Sequence, residues 1–385
     1  MRIALLGSRG IPARYGGYET LMEEIAVLLR SWGHEVTVYC RSHYTAREER
    51  EHRGVELVVL PTIRGKYFDT PVHTLLSCLH AAWRQVRGLW RGCGYDAALV
   101  VNAANAMFLP ILRLAGLPVA LHVDGIEKRR AKWGPLGRLV YAISERLALW
   151  LPNALITDAE VISEHYRERY GVGSTLITYG VDPRPPAHRE VLAKLGLSPR
   201  GYLLYVSRIE PENNPHRVLE GYALVSGEMP LVLVGDAPYS DGLQAELRRL
   251  AAADPRVILP GAIYGDGYRE LQASAFAYIH ATEVGGTHPA LVEAMGYGNA
   301  LVVNDTPENR EVAGPEALYF RAADPPSLAS ALEKLLAEPE NAASIGTYAA
   351  KRAAERYSWQ AVARKYEALF ASLAANAPPV EEKGS

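Results

Sequence analysis

The sequence is poor in several features that would have directed it elsewhere. It has three cysteines in 385 residues, Cys40, Cys78 and Cys93. An odd number at those spacings frames neither a disulfide scaffold nor a zinc site, and the thiols read as reduced ones of a cytosolic protein. No run of about 18 uninterrupted apolar residues is present, so no helix is expected to span a membrane. The short apolar run at the N-terminus leads into glycines rather than a cleavage site, so no signal peptide is expected and the protein reads as cytoplasmic. Nor is there a large charge of one sign. The 41 Lys and Arg against 43 Asp and Glu leave a net −2, which gives no general reason to expect a nucleic-acid partner. The balance shifts along the chain, however: residues 1–185 hold 23 basic and 18 acidic side chains, the remainder 18 and 25. That asymmetry fits a first half that meets something anionic, and chance on a soluble surface would also produce it.

Two phosphate-binding signatures are also missing. No G-x-G-x-x-G follows a strand, which disfavours a dinucleotide-dependent dehydrogenase, and no G-x-x-x-x-G-K-[ST] marks a P-loop. No Asp-x-Asp stands near a strand end, so no bound divalent metal is implied, and no cofactor is expected beyond a substrate nucleotide.

What is present is a repeated alternation of strands and helices. Residues 2–6 form a short apolar run, residues 7–17 a glycine-rich loop, residues 19–32 an apolar pattern at helical spacing, and residues 35–39 a second strand. Strand, loop, helix and strand make the βαβ unit of a parallel sheet. Further buried strands are expected at 55–60, 97–101, 119–123 and 154–157. After the proline-rich break at 182–186 the pattern restarts, with strands at 202–206, 231–234, 257–259, 277–280 and 300–303. A chain this long exceeds one ordinary core. The expected architecture is α/β, with two doubly wound domains and a ligand cleft between the carboxyl ends of their sheets. The expected division is 1–184, 185–345, a pair of C-terminal helices over 346–374 packing back on the first domain, and a disordered tail at 375–385.

Three segments carry chemistry. In the first, at 7–19, Gly16 and Gly17 open a helix where free amides and the helix dipole favour an anion. Arg9 and Arg14 add charge, with Tyr18 and Glu19 beside them. An ordinary strand-to-helix turn is the plain alternative. In the second, Arg208 stands just past the first strand of the second domain, followed by Glu210, Glu212, Asn213 and Asn214. A buried arginine there suits a diphosphate, and an ion pair with Glu210 or Glu212 is the alternative. In the third, a strand ends at His280 and passes through Gly285 and Gly286 into a helix. Thr287 is its expected N-cap and Pro289 its first turn. The amides of Gly286, Thr287 and His288 suit phosphate or a sugar hydroxyl, and Glu293, one turn on, can accept both hydroxyls of a ribose. His122 and Asp124 come at the end of strand 119–123, where Asp124 can orient or deprotonate an acceptor or cap the next helix.

The order of these segments, with Tyr179-Gly-Val-Asp182 before the break and Tyr357-Ser-Trp359 near the end, resembles glycosyltransferase family four over nearly the whole chain. That resemblance implies the GT-B fold of two Rossmann-like domains and retention of anomeric configuration. A narrower resemblance is to a bacterial rhamnosyltransferase-like branch whose N-terminal half is a domain of unknown function. It rests on residues 7–20, on Val123-Asp-Gly-Ile-Glu127 with Lys132-Trp133, on Arg208 to Asn214, and on Val284 to Ala294. Two positions depart from the wider family. Gly285 stands where a carboxylate contacts the donor sugar, with Glu283 displaced by two, and Asn213 replaces a lysine. Both departures occur in the branch and are consistent with a deoxysugar donor such as dTDP-L-rhamnose. The implied partners are a nucleoside diphosphate sugar and a glycan or lipid-linked glycan acceptor. Arg208 with the amides of Gly16, Gly17 and residues 286–288 would stabilise the leaving diphosphate. A basic, aromatic helix carrying Trp83, Arg84, Arg87, Trp90 and Arg91, with the cations of 127–132, could rest on an anionic membrane surface or simply be a solvated helix with core-facing tryptophans. An epimerase or hydrolase on the same architecture, or a non-catalytic nucleotide-sugar-binding protein, remain as other readings.

Overall fold

The computed structural model describes the chain except residues 15, 66, 67, 90, 124, 126–134, 237–240 and 377–385. Most of the tail expected over 375–385 therefore lies outside the described residues. Its contacts gather into two compact units. The first takes the described residues up to Thr178 together with those from Trp359 onward, and the second spans Tyr179–Ser358.

The first unit follows the strand and helix alternation. In order come β1 (Arg2–Leu6), α1 (Gly17–Ser31), β2 (Glu35–Arg41), β3 (Glu51–His52), β4 (Val55–Leu60), α2 (Asp69–Leu89) and β5 (Ala97–Val101). A 3-10 turn (Ala103–Phe108), α3 (Leu109–Leu114), β6 (Val119–Val123), α4 (Pro135–Leu147), β7 (Ala154–Thr157), α5 (Glu160–Tyr170) and β8 (Thr175–Leu176) complete it. The sheet order is β3-β4-β2-β1-β5-β6-β7-β8, parallel except where β3 meets β4. Strands such as Ala97–Val101 and Val119–Val123 are buried at every position, because helices cover both faces of a parallel sheet. The carboxyl ends of β1 and β5 lie side by side, and the strand order reverses direction there.

The second unit repeats the plan. It contains α6 (Val191–Leu195), β9 (Leu203–Val206), a 3-10 turn (Pro211–Asn213), α7 (Pro215–Tyr222), β10 (Leu231–Val234), α8 (Asp241–Ala252) and β11 (Val257–Gly261). Then follow α9 (Gly265–Ser274), β12 (Ala277–His280), α10 (Pro289–Gly296), β13 (Ala300–Asn304), α11 (Pro307–Ala313), β14 (Leu318–Phe320), α12 (Pro325–Ala337) and α13 (Pro339–Arg356). Its six strands run β11-β10-β9-β12-β13-β14, all parallel. Four tyrosines lie in its core with their hydroxyls satisfied. Tyr202 donates to Leu271 O at 2.6 Å, Tyr205 to Asn213 O at 2.6 Å, Tyr222 to Met229 O at 2.5 Å and Tyr278 to Val206 O at 3.1 Å. A buried phenol without such a partner would cost about 1–3 kcal/mol.

The two tyrosine motifs near 179 and 357 meet. Val181 N donates to Tyr357 O at 2.5 Å, and Val181 bridges Ser358 in parallel. The next residue, Trp359, begins α14 (Trp359–Ala375), which belongs to the first unit and packs on α1 and β5. Sequence periodicity did not mark β3, β8 or β14, since strands of two or three residues are too short to show alternation.

Candidate active site

Open α/β sheets bind ligands outside the carboxyl ends of their strands, where the strand order reverses. In the second unit that point lies between β9 and β12, which pair in register. Two of the three chemical segments leave from these two strands.

The segment after β9 is a braced turn. Ser207 Oγ donates to Tyr205 Oη at 2.7 Å, and Asn213 Nδ2 donates to Arg208 O at 2.6 Å. Asn213 is buried, so its amide fixes the backbone of Arg208 rather than reaching outward. The Arg208 side chain was expected to be buried. It is 40% exposed, with Nη1 3.5 Å from Glu210 Oε1. The ion pair with Glu210 therefore forms, and the guanidinium keeps an open face at the sheet edge.

The segment after β12 lies against that turn. Glu283 N donates to Glu212 O at 2.9 Å, and Asn214 Nδ2 donates to Ala281 O at 3.0 Å. Asn309 Nδ2 holds Thr282 O at 2.9 Å from the other side. Gly285 has φ +153, and a Cβ there would lie 2.4 Å from His288 Cε1. No larger residue fits without displacing that ring, which gives a physical reason for glycine at this position. The His288 ring is in turn 4.8 Å from His280. His280 is buried at the end of β12, and burial pulls its imidazole down to about 3, so it is neutral at pH 7. Gly286 and Thr287 are buried beside it. The N-cap of α10 is His288, not Thr287, although Pro289 does open the helix. The difference is one residue, because the chain stays extended through His288 (φ −89, ψ 117) and turns helical only at the proline. Glu293 lies further along α10 and accepts from the Tyr268 hydroxyl, which itself accepts from Gln272 Nε2 at 2.9 Å.

The first unit carries the third segment after β1. Helix α1 begins at Gly17 with Gly16 as its cap, earlier than the expected start at Glu19. The loop is held by carboxylates of its own helix: Arg9 N donates to Glu19 Oε1 at 2.8 Å, and Ala13 N to Glu23 Oε2 at 2.6 Å. Glu19 is buried, and its carboxylate is a loop anchor. Arg14 is exposed, and its backbone N–H donates to the Tyr44 hydroxyl. Tyr18 stands edge-on to His122 at 5.7 Å. His122 has no exposed surface. Its Nδ1 is hydrogen-bonded to the Tyr366 hydroxyl of α14 at 2.7 Å, and burial lowers its imidazole to about 3. At the end of β6 it is a fully buried polar residue. Asp124, Trp90 and the 127–132 basic stretch lie outside the described residues. Among the described residues, no three His, Cys, Asp or Glu side chains are grouped to hold a metal ion.

Residues that periodicity did not single out complete the site: Tyr205 and Ser207, which brace the arginine turn, and Tyr268, which holds Glu293. Their partners are set by β9–β12 pairing and by packing of α9 on α10, and no spacing signal announces them.

Two family models cover the chain almost end to end. Residues 16–179 match the glycosyl transferase 4-like domain, and residues 189–352 match the glycosyl transferases group 1 domain. The chain is a GT-B glycosyltransferase. Among solved structures it resembles sucrose-phosphate synthase (tll1590) from Thermosynechococcus elongatus, with TM-score 0.81, 20% identity, and 97% and 99% of the two chains covered. It also resembles Anabaena Alr3699/HepE in complex with UDP-glucose, with TM-score 0.76, 16% identity, and 96% and 99% covered. Among curated relatives, the glycosyltransferase is 25% identical to the O-antigen chain mannosyltransferase B of Escherichia coli. That match spans 46% of this chain and 48% of the relative, about half the length of each. It is 24% identical to the GDP-mannose-dependent alpha-(1-6)-phosphatidylinositol monomannoside mannosyltransferase of Mycolicibacterium smegmatis, over 92% and 95%. The family models place the group 1 domain over the segments that carry Arg208 and Glu293.

Proposed function

We propose that this glycosyltransferase moves L-rhamnose from dTDP-rhamnose to a hydroxyl of a glycan or lipid-linked glycan, in the synthesis of a bacterial surface polysaccharide. The observation that carries the reading is the contact, at the β9/β12 reversal point, of the turn that follows Arg208 with the segment that leads into the 285–288 loop, through Glu283 N to Glu212 O and Asn214 Nδ2 to Ala281 O. In this proposal Arg208 and the amides of Gly286, Thr287 and His288 take the diphosphate, and Glu293 takes the ribose hydroxyls. Neutralising the leaving diphosphate by preorganised donors needs no metal, and the configuration at the anomeric carbon is retained. On the first unit, Arg9, Arg14 and Tyr18 attend the acceptor, with Gly16 and Gly17 offering amides at the start of α1. Asp124 is the proposed base or acceptor-orienting group. The enzyme works at the cytoplasmic face of a membrane.

The tight packing of the His288 ring over Gly285 supports a donor that needs no carboxylate at that position. The alternative is the same reaction with UDP-glucose, UDP-N-acetylglucosamine or GDP-mannose, and the similarity to the two mannosyltransferases and to the UDP-glucose complex favours mannose or glucose. A thermal-shift panel of nucleotide sugars separates the two. At a hundredfold excess over Kd, a true donor stabilises the folded state by about 2.7 kcal/mol. Selective stabilisation by dTDP-rhamnose is the expected result. A shift with GDP-mannose or UDP-glucose alone would overturn the rhamnose assignment, and no shift with any of them would remove the donor site itself.

A further inference from the structure

The first unit presents an apolar face that its own fold leaves uncovered. Among the described residues fourteen large apolar side chains are exposed, and ten of them lie on α2, the 3-10 turn after β5, α3, α4 and the segment just beyond α4. Leu79, Trp83 and Val86 mark α2, Leu114 the end of α3, Ile143 the middle of α4, and Trp150 the turn after it. Leu114 and Trp150 are 89% and 77% exposed. The elements form one layer: α2 touches the 3-10 turn and α3, the turn touches α4, and Arg113 Nη1 donates to Leu151 O at 3.1 Å. On α2 the exposed positions 75, 79, 83 and 86 fall on one stripe, so the apolar surface is patterned along the helix. Clusters of this kind on a soluble protein mark a place of contact.

Among the described residues, the charged side chains exposed on these elements are arginines: Arg87, which lies 4.7 Å over the Trp83 ring, Arg113 and Arg146. Arg84, on the side of α2 away from the apolar stripe, pairs with Glu56 at 3.0 Å. The acidic residues of these elements are withdrawn. Asp69 pairs with Arg41 at 2.5 Å, and Glu145 is buried and accepts from the Tyr170 hydroxyl at 2.8 Å. No described helix is long and apolar enough to cross a membrane. We propose that this face docks on the surface of an anionic phospholipid bilayer, with Trp83, Trp150 and the leucines at the depth of the acyl boundary and the arginines among the headgroups. A second copy of the chain fits less well, because a twofold contact through this face would set arginines against arginines. The docking deepens the membrane-face location proposed above and is independent of the donor assignment. The corollary, that the acceptor is carried on a lipid, rests on the proposed transfer reaction.

Vesicle flotation of the full chain tests the proposal. Vesicles of phosphatidylcholine with phosphatidylglycerol should carry the protein, and phosphatidylcholine alone should bind at least about tenfold less, as expected when each basic residue near an anionic surface adds about 1 kcal/mol. Raised salt should weaken the binding. Trp83→Glu with Ile143→Glu, both at exposed positions, should lower partition at least about tenfold. Circular dichroism and the nucleotide-sugar thermal shift should stay as in the wild type. Arg87→Glu with Arg146→Glu should erase the preference for the anionic lipid. The proposal falls if the wild-type protein does not float with anionic vesicles, or if W83E/I143E floats as well as wild type. It also falls if sedimentation shows a wild-type dimer that W83E/I143E dissociates, since the face would then be a contact between copies. Vesicle binding with no nucleotide-sugar shift would leave the docking intact and remove the proposed donor site.

Discussion

The two units share a plan and use it differently. Each has a strand-to-loop-to-helix passage at the point where its sheet reverses, each has a neutral buried histidine beside it, and each carries an arginine on that passage. In the second unit the loop is fixed by contacts between neighbouring segments: Asn213 to Arg208, Glu283 to Glu212, Asn214 to Ala281. In the first unit the loop is fixed by carboxylates of the helix it leads into, Glu19 and Glu23, and by the end of β2 and the turn after it, where Arg41 N donates to Arg9 O at 2.8 Å, Thr45 Oγ1 to Ile11 O at 3.1 Å and Arg14 N to the Tyr44 hydroxyl. The surfaces differ as well. Two large apolar side chains, Leu224 and Tyr264, are exposed on the described part of the second unit, and twelve on the first. A site cross-braced from several elements holds one ligand shape, as a common nucleotide requires. The first unit's loop is braced by α1 and by the chain from Cys40 to Thr45, and the apolar face of that unit suits a partner that arrives from a surface.

The largest effect that would break this comparison is expected at the arginines. Arg208→Ala should lower kcat/KM by about 10²–10³, or roughly 3–4 kcal/mol of transition-state stabilisation, if it meets the leaving diphosphate. Arg9→Ala should instead raise the acceptor KM and leave the nucleotide-sugar thermal shift unchanged. Equal loss of donor binding in both variants would erase the division between the units.

A smaller effect is expected at the 285–288 loop. Gly285→Ala forces a side chain into φ +153 against the His288 ring and should destabilise by about 2–3 kcal/mol in urea unfolding. Gly285→Ala combined with His288→Gly should recover part of that loss. If the single variant unfolds like wild type, the ring does not control that position.

The smallest effect should appear with pH. His122 and His280 both sit near 3 in the folded chain against about 6.5 when unfolded. Below about 6.5 the unfolded state binds the extra proton, so stability is complete above that pH and declines as pH falls toward 3. At pH 5.5 each histidine should cost about 1.4 kcal/mol. His122→Gln and His280→Gln should each flatten the decline in the unit they belong to. If neither variant alters the slope, these imidazoles are not buried as neutral groups.

Much of the fold was legible because its signals are local. Parallel strands buried on both faces read as apolar runs, and Gly16-Gly17 and Pro289 mark helix starts by backbone chemistry that needs no distant partner. Arg208 could be singled out because it follows a strand end by two residues, and Glu293 because it falls early in the helix that Pro289 opens. The burial of His122 was not legible, because a residue at a strand's end and one facing inward from it look alike in sequence. Its partner Tyr366 comes 244 residues later.

The sequence by itself therefore determined the class of architecture, the segments that carry chemistry, and the family resemblance. These depend on periodicity and on backbone needs set within a few residues. Only the tertiary structure decided that Arg208 is half open and paired, that Asn213 braces the Arg208 backbone, and that Gly285 yields its space to His288. It also decided that ten exposed apolar side chains gather on one layer. Each of these is a fact about which distant surfaces meet, and packing between elements settles that where spacing along the chain does not.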